Sequence, residues 1–168
     1  MHKIISEEYF ADNPEALRRE DSVIMTLCRI YTGTLRALEE KFGPEVVDVA
    51  RQGFLETKLI ADKEAFAKIE DKTVEAYCSW LNSTLHLTHK FEMTYDEEKE
   101  EAQYDIRYCP WANYFREMGG EKYGMYFCDA DCPMAEAFDA NLGFNRTKML
   151  MSGDECCNHR YFNKKKVK

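Results

Sequence analysis

The sequence predicts an α+β fold, with N-terminal helices packed on an antiparallel sheet built from two hairpins. In the first half of the chain, apolar residues recur every three or four positions, which is the period of amphipathic helices. From His86 onward the period changes to the alternation of half-buried strands, and a second such region closes the chain. Because strands that follow one another closely pair as neighbours, the sheet is expected to be antiparallel and backed by the helices.

Three helices are predicted before the first strand. Asn13 is a capping residue in front of Pro14, which suits the first helical position, and Gly43 ends this helix. Pro44 opens the second helix, and the third is predicted from about Lys63 to Asn82. The buried stripe of the first helix is predicted to consist of Leu17, Ile24, Leu27, Tyr31, Leu35, Leu38 and Phe42.

The strands are predicted in two hairpins separated by short helices. The first hairpin alternates over residues 87–95 and 104–108 around the acidic loop 96–101. Short helices are then predicted from Cys109-Pro110 to Met118, over residues 122–128, and from Asp131 to about Asn141. The closing hairpin is predicted to pair residues 143–151 with residues 155–162, turning at residues 152–154.

Length and charge restrict the class of protein and its partners. At 168 residues the chain is predicted to be one domain over residues 1–163, followed by a basic, frayed tail over residues 164–168. A net charge of -8 opposes binding to nucleic acid and to anionic membranes. No apolar run reaches the roughly 18–20 residues of a membrane span, and no export signal is visible, so a cytoplasmic location is expected.

Seven cysteines are many for this length, and their number is odd. Without an export signal a complete disulfide framework is not expected, which leaves buried apolar cysteines, metal ligands or reactive thiols. Cys128 and Cys132 have a C-x-x-x-C spacing that would put both sulfurs on one helix face. This spacing is a weak metal signal, so no cofactor is firmly implied, although zinc or iron stays open.

Cys109 is the cysteine with the most informative local sequence. Pro110 suits the first position of a helix, so Cys109 falls at the N-cap, facing unpaired backbone N–H groups and the positive end of the helix dipole. Both favour a thiolate, and thus a nucleophile. The alternative is a cysteine that fills the corner between a strand and a helix. Cys132-Pro133 repeats the arrangement one helix later.

Two histidines lie on predicted strands. Alternation puts Cys157, His159 and Tyr161 on one face, where an imidazole could assist a thiol or transfer a proton. Alternatively, His159 pairs with a surface carboxylate. His89 lies among apolar neighbours, which favours a hydrogen-bonded core residue over a ligand.

The second half of the chain resembles the L-2-amino-thiazoline-4-carboxylic acid hydrolase family. The resemblance rests on the segments YDIRYCPWANYFREMG and YFCDADCPMAEAFDANLGFNRTKMLMSGDECCNHRYF, with matching positions at Cys109, Cys128, Asp131, Gly153 and Cys157. Members of the family are also similar in layout to the α+β ligand-binding domains of the vinyl-reductase and vesicle-tethering type, an analogy of fold alone.

The resemblance implies hydrolytic opening of a 2-aminothiazoline ring to an N-carbamoyl cysteine. It further implies that Cys109 acts as the nucleophile or orients water, that Asp131 is the base or the amidine partner, and that His159 transfers protons. Cys157 and Cys128 would line the pocket, and the aromatic residue after Cys109-Pro110, Trp111, would contact the substrate together with His89.

Three functions stay open at the level of sequence. The first is a cysteine-dependent hydrolase acting on a small-molecule cyclic amidine. The second is a non-catalytic sensor in which the clustered cysteines hold a metal, haem or an apolar ligand. The third is a structural module, in which aromatic residues of the helices such as Tyr31 and Phe54 supply the face of a homodimer.

Overall fold

The computed structural model describes residues 2–5, 14–86 and 88–167. The helices before the sheet's central hairpin are α1 (Pro14–Phe42), α2 (Glu45–Phe66) and α3 (Val74–Leu85), and those after it are α4 (Pro110–Glu117), α5 (Glu121–Asp129) and α6 (Asp131–Phe138). The strands are β1 (His2–Ile5), β2 (Lys90–Asp96), β3 (Glu101–Tyr108), β4 (Leu142–Asn145) and β5 (Arg160–Asn163), with a 3₁₀ turn at Leu150–Ser152. The α+β class is therefore confirmed.

The strands form one antiparallel sheet in the order β1-β2-β3-β5-β4. The first predicted hairpin is confirmed as β2 and β3, whose alternate residues are buried against the helices, among them Phe91, Met93, Tyr104 and Ile106. His89 precedes β2, and Leu87, assigned to the same strand by its alternation, lies outside the described residues. β1 was not predicted, and it pairs along the free edge of β2.

The closing hairpin has much shorter strands than predicted. β4 and β5 pair from Leu142–Asn163 to Asn145–Arg160, so residues 146–159 form a long connection. Side chains bond several backbone N–H groups of this connection. The side-chain amide oxygen of Asn158 accepts hydrogen bonds from the backbone N–H groups of Thr147 and Lys148, at 2.9 and 2.6 Å. The Asp154 carboxylate accepts one from the backbone N–H of Met149 at 2.7 Å. Local side-chain bonds of this kind compete with a strand ladder.

Two helix boundaries also differ from prediction. The third helix does not begin near Lys63, because residues 63–66 end α2 and α3 begins only at Val74. Thr73 decides this start, since its hydroxyl accepts the N–H of Ala76 at 3.1 Å as an N-cap. Likewise α6 ends at Phe138 rather than near Asn141, because Asp139 is extended and its carboxylate accepts the Asn141 N–H at 2.7 Å.

The core consists of two hydrophobic clusters. One lies between the sheet and helices α3 and α6, and it includes Tyr77, Tyr104, Phe138 and Tyr161. The other lies among α1, α2, α4 and α5, around residues such as Ile24, Leu35, Phe115 and Tyr123. Met149 and Leu150, from the connection between β4 and β5, contact both clusters. The long connection thus lies where the two halves of the core meet.

The surface of α1 is more apolar than its predicted stripe implies. Leu27 is 48% exposed and Phe42 is 61% exposed, so neither is a core residue. Conversely, Tyr31 and Phe54, expected to supply a dimer face, pack edge to face at 6.5 Å, and both rings also contact Phe127. Both residues are half-buried and pack against the second cluster, and the dimer face stays a prediction.

The basic residues after β5, which the sequence predicts to be frayed, begin with a turn. The Lys164 N–H donates to the Asn141 carbonyl at 2.8 Å, and the Lys166 ammonium pairs with Glu100 at 3.1 Å. Within the described part of the chain, none of the helices combines the length and the apolarity that crossing a bilayer requires.

Gly124→Ala tests the packing between α5 and the 3₁₀ turn. A Cβ at Gly124 would lie 2.7 Å from the Met151 methyl and from the Phe115 ring, so we expect a loss of about 1–3 kcal/mol in the free energy of unfolding. Gly53 of α2 has open space around it, and Gly53→Ala should instead stabilise the protein by about 0.5–1 kcal/mol. Urea unfolding measures both, and equal effects of the two substitutions would contradict the packing.

Candidate active site

Residues that are far apart in sequence meet where the two core clusters adjoin. Cys109 is the N-cap of α4, Cys128 lies near the end of α5, and Asp131 begins α6. Cys157 makes an isolated bridge with Ile106 of β3, two residues before His159. The charge of Asp131 affects the pKa of each of these three thiols, which is a sign of their proximity.

An arginine that sequence reasoning missed completes this group. Arg146, directly after β4, donates from Nη1 to Asp131 Oδ2 at 2.6 Å and from Nη2 to the Cys128 carbonyl at 3.4 Å. Its side chain is 13% exposed and that of Asp131 is 19% exposed. We call Cys109, Cys128, Asp131, Arg146, Cys157 and His159 the central cluster. A single arginine after a strand belongs to no local pattern, although it lies within the segment NLGFNR that supported the family resemblance.

Asp131 has the properties of a general base. Burial raises the pKa of its carboxyl to about 7, against the lowering effect of the cations of Arg146 and Lys58. A carboxyl that titrates near neutral pH can both accept and return a proton, which is the requirement for acid–base catalysis. Asp129, two residues earlier, is instead paired with Arg51 at 2.7 Å, outside the cluster.

His159 lies next to Asp131 with an unused ring nitrogen. Its Nε2 is 3.7 Å from Asp131 Oδ2, beyond hydrogen-bond range, and it is buried without a partner among the residues that the structure describes. Burial, with repulsion from Arg146 and His89, lowers the pKa of His159 to about 3, so the ring is neutral at physiological pH. A buried polar atom left without a bond is costly, and a small polar molecule that bonds to Nε2 would satisfy it.

The ring of His159 is held on two sides. Its Nδ1 lies 3.4 Å from the Tyr161 hydroxyl, and Phe144 packs edge to face against it at 5.3 Å. Cys157, His159 and Tyr161 are all buried, opposite the buried residues of β3, so the prediction that they share one face is confirmed. The alternative in which His159 pairs with a surface carboxylate is wrong, because its acidic neighbour, Asp131, is largely buried.

The thiols of the cluster do not have the predicted reactivity. Cys109 is the N-cap of α4, as predicted, and the N–H groups of Ala112 and Trp111 do lower its pKa. Burial is the larger effect, however, and it raises the pKa of Cys109 to about 12. Burial also raises the pKa of Cys128 and of Cys157, whose sulfur accepts the Leu150 N–H at 3.2 Å. The expectation of a Cys109 thiolate near neutral pH is therefore wrong.

Other predicted residues lie apart from the cluster or at its edge. Ala130, not Cys132, is the N-cap of α6, and Cys132 is exposed on a different helix from Cys128, so the predicted shared helix face is absent. In the described ranges, no group of three or more histidine, cysteine or acidic side chains could hold a metal ion. Trp111 stacks on Phe127 at 4.7 Å. His89 is buried beside the Thr88 hydroxyl at 3.0 Å, which fits a core histidine.

All seven cysteines are free thiols, in agreement with the absence of a disulfide framework.

Together the central cluster offers a carboxylate that titrates near neutral pH, an unused imidazole nitrogen and a buried cation, surrounded by protonated thiols. Such a set can bind a small polar molecule, deprotonate a water beside it and stabilise negative charge.

Comparison with known proteins supports the family resemblance noted above. Residues 25–161 match the family model described as L-2-amino-thiazoline-4-carboxylic acid hydrolase. The match begins within α1 and ends within β5, and it includes every residue of the central cluster. Among curated proteins and among solved structures, none matches the chain.

Thiol labelling of the native protein tests the burial of the cluster. Because Cys132 is exposed whereas Cys109 and Cys128 are half-buried and Cys157 is buried, we expect iodoacetamide at pH 7.5 to label Cys132 first. Cys132→Ser should remove the fast phase, which mass spectrometry of tryptic peptides would locate. Rapid modification of Cys109 in the folded protein would contradict the effect of burial.

Proposed function

The chain belongs to the L-2-amino-thiazoline-4-carboxylic acid hydrolase family, and on this premise we propose that it opens the ring of 2-aminothiazoline-4-carboxylate to give N-carbamoyl cysteine. The observation that carries the proposal is the pairing of Asp131, whose pKa is raised to about 7, with the unused Nε2 of His159 at 3.7 Å. A water molecule or a heteroatom of the substrate could form hydrogen bonds to both atoms from one side of this pair.

The reaction needs water to attack C2, the amidine carbon between the ring sulfur and the ring nitrogen. We assign Asp131 as the base that takes a proton from this water while the oxygen of the water bonds to C2. The C2–S bond then breaks. One proton of the water ends on the ring nitrogen and the other on the departing sulfur, so that the atoms of one water are added in total. Protonated Asp131 returns the proton that it accepted.

His159 is assigned to hydrogen-bond with the attacking water, whose oxygen becomes the carbamoyl oxygen. As a neutral imidazole it can donate or accept one hydrogen bond at Nε2, depending on its tautomer. The tautomer depends in turn on whether Nδ1 donates to the Tyr161 hydroxyl or accepts from it. Cys157 and Cys128 are assigned to the wall of the site, with Trp111 at its apolar end and His89 behind His159. Protonated, buried thiols provide a polarisable lining for a sulfur-containing ring.

A covalent route through Cys109 is the second candidate. The position of Cys109 at the N-cap of α4 favours it, because the N–H groups of Ala112 and Trp111 would stabilise negative charge on the sulfur as it attacks C2. The C2–S bond of the ring would break as the Cys109 sulfur bonds to C2, and the departing sulfur would receive the thiol proton. Water would then cleave the bond between C2 and Cys109, leaving its oxygen on C2, one proton on the ring nitrogen and the other on the thiol. This route needs a proton transfer from a thiol whose pKa is raised to about 12, so water activation by Asp131 is the simpler mechanism.

Asp131→Asn should lower kcat by about 10²- to 10⁴-fold, the usual contribution of a general base. In the unsubstituted protein, kcat/KM should rise with pH through about 7, because only the deprotonated carboxylate accepts the proton. Chromatographic measurement of N-carbamoyl cysteine checks both. Asp129→Asn is the matched control, since Asp129 pairs with Arg51 outside the cluster. Binding of the thiazoline without turnover would instead support the non-catalytic sensor.

Cys109→Ala and Cys109→Ser distinguish the two routes. If Cys109 only lines the site, we expect kcat to fall by less than about tenfold, whereas loss of a covalent nucleophile typically removes several powers of ten. The same product assay measures the effect, with Cys132→Ser as the control for loss of a thiol elsewhere. Complete loss of turnover in both Cys109 variants, with the fold retained by circular dichroism, would establish the covalent route.

A further inference from the structure

We propose that Arg146 binds the carboxylate of the substrate, so that the site selects cyclic amidines that carry an acid group. The inference rests on the proposed hydrolysis and adds the residue that recognises the part of the substrate remote from the broken bond. The proton transfers proposed at C2 are assigned to Asp131 and use only one donor of Arg146, the one that pairs with this base.

The first argument is the hydrogen-bonding capacity of the Arg146 guanidinium. It carries five N–H donors, of which one makes a 2.6 Å bond with Asp131 and another a long 3.4 Å contact with the Cys128 carbonyl. No other hydrogen bond joins it to the described residues. A planar guanidinium with donors to spare is well matched to the two oxygens of a carboxylate.

The second argument is the balance of charge around this buried cation. Arg146 is permanently charged, but Asp131 titrates near pH 7 and so neutralises it only in part. The next cation, Lys58, already has a full partner, because its ammonium donates to both oxygens of Asp62 at 3.0 and 2.8 Å. A largely buried positive charge without a full counterion favours the entry of an anion.

The third argument is preorganisation of the guanidinium. Its centre lies 5.6 Å from the centroid of the Phe144 ring, which also packs against His159. One aromatic ring thus positions both the cation and the imidazole. The two N–H groups that follow Arg146 in the chain are tied to the Asn158 side chain, so its backbone is held as well. A prepositioned donor group loses little conformational entropy when a ligand binds.

The overall charge makes a local cation necessary. The chain carries a net charge of -8, which repels anions at long range. A carboxylate substrate therefore needs a specific positive group in the site, and Arg146 is 2.6 Å from the proposed base. Placing the carboxylate there would bring the amidine carbon of the same small ring towards Asp131 and His159.

The test compares two substrates that differ only in the acid group, 2-aminothiazoline-4-carboxylate and 2-aminothiazoline. Arg146→Gln should lower the ratio of their kcat/KM values by about 10- to 100-fold, the loss expected for a charge-assisted hydrogen bond. Any weakening of Asp131 affects both substrates alike and cancels in this ratio. Arg146→Lys keeps the charge without the planar pair of donors, so its ratio should lie in between.

Arg51→Gln is the matched control, because Arg51 also pairs with an aspartate, at 2.7 Å from Asp129, but outside the central cluster. Its substrate ratio should equal that of the unsubstituted protein. An unchanged ratio in Arg146→Gln and Arg146→Lys, with hydrolysis of both thiazolines retained, would overturn the role of Arg146 and leave the proposed function intact.

A binding measurement separates the two proposals if no hydrolysis is detected. Calorimetry with 2-oxothiazolidine-4-carboxylate, which keeps the ring and the acid but lacks the amidine, should show binding that Arg146→Gln weakens at least about tenfold. Such binding without turnover of any thiazoline would refute the proposed function and support the carboxylate site. Equal binding by the two proteins, or none by the unsubstituted protein, would refute the carboxylate site.

Discussion

The ion pair between Asp131 and Arg146 joins the parts of the structure on which the site depends. It links the start of α6 to the connection after β4, at the place where the two hydrophobic clusters meet. Removing one partner from a buried pair leaves an uncompensated charge, which typically costs about 3–5 kcal/mol. The same pair keeps a carboxylate in an apolar setting where its pKa lies near neutral. The stability of the fold and the acid–base chemistry proposed for Asp131 therefore depend on the same ion pair.

The thiols illustrate a competition between two electrostatic effects. A helix N-terminus stabilises a negative charge by about 0.3–1 kcal/mol, and by at most about 2 kcal/mol, which is little more than one pKa unit. Burial of an ionisable group can shift its pKa by up to about 3–5 units. At Cys109 the two effects oppose one another and burial dominates, so the helix N-terminus does not produce a thiolate there. The proposed acid–base role is therefore assigned to the carboxylate of Asp131 and not to a thiol.

The connection between β4 and β5 shows how local bonding shapes the site. The side chains of Asn158 and Asp154 accept hydrogen bonds from backbone N–H groups that would otherwise bond to the neighbouring strand in a longer hairpin. The Cys157 sulfur likewise accepts a hydrogen bond from the backbone N–H of Leu150. The segment consequently leaves the sheet and carries Arg146 to Asp131 and Leu150 into both clusters. The prediction of a strand over residues 143–151 gave no sign of this, because a strand pattern does not report which groups satisfy the backbone.

From its sequence alone, the protein can be assigned its fold class, the end of α1 at Gly43, the hairpin of β2 and β3, and Cys109 as the N-cap of α4. These features depend on proline, glycine and hydrophobic period, all of which act within a few residues. Only the tertiary structure decided that Arg146 pairs with Asp131, that the clustered thiols stay protonated and that Tyr31 and Phe54 pack against the second cluster. Burial and charge pairing depend on which distant elements pack together, and no local pattern carries that information.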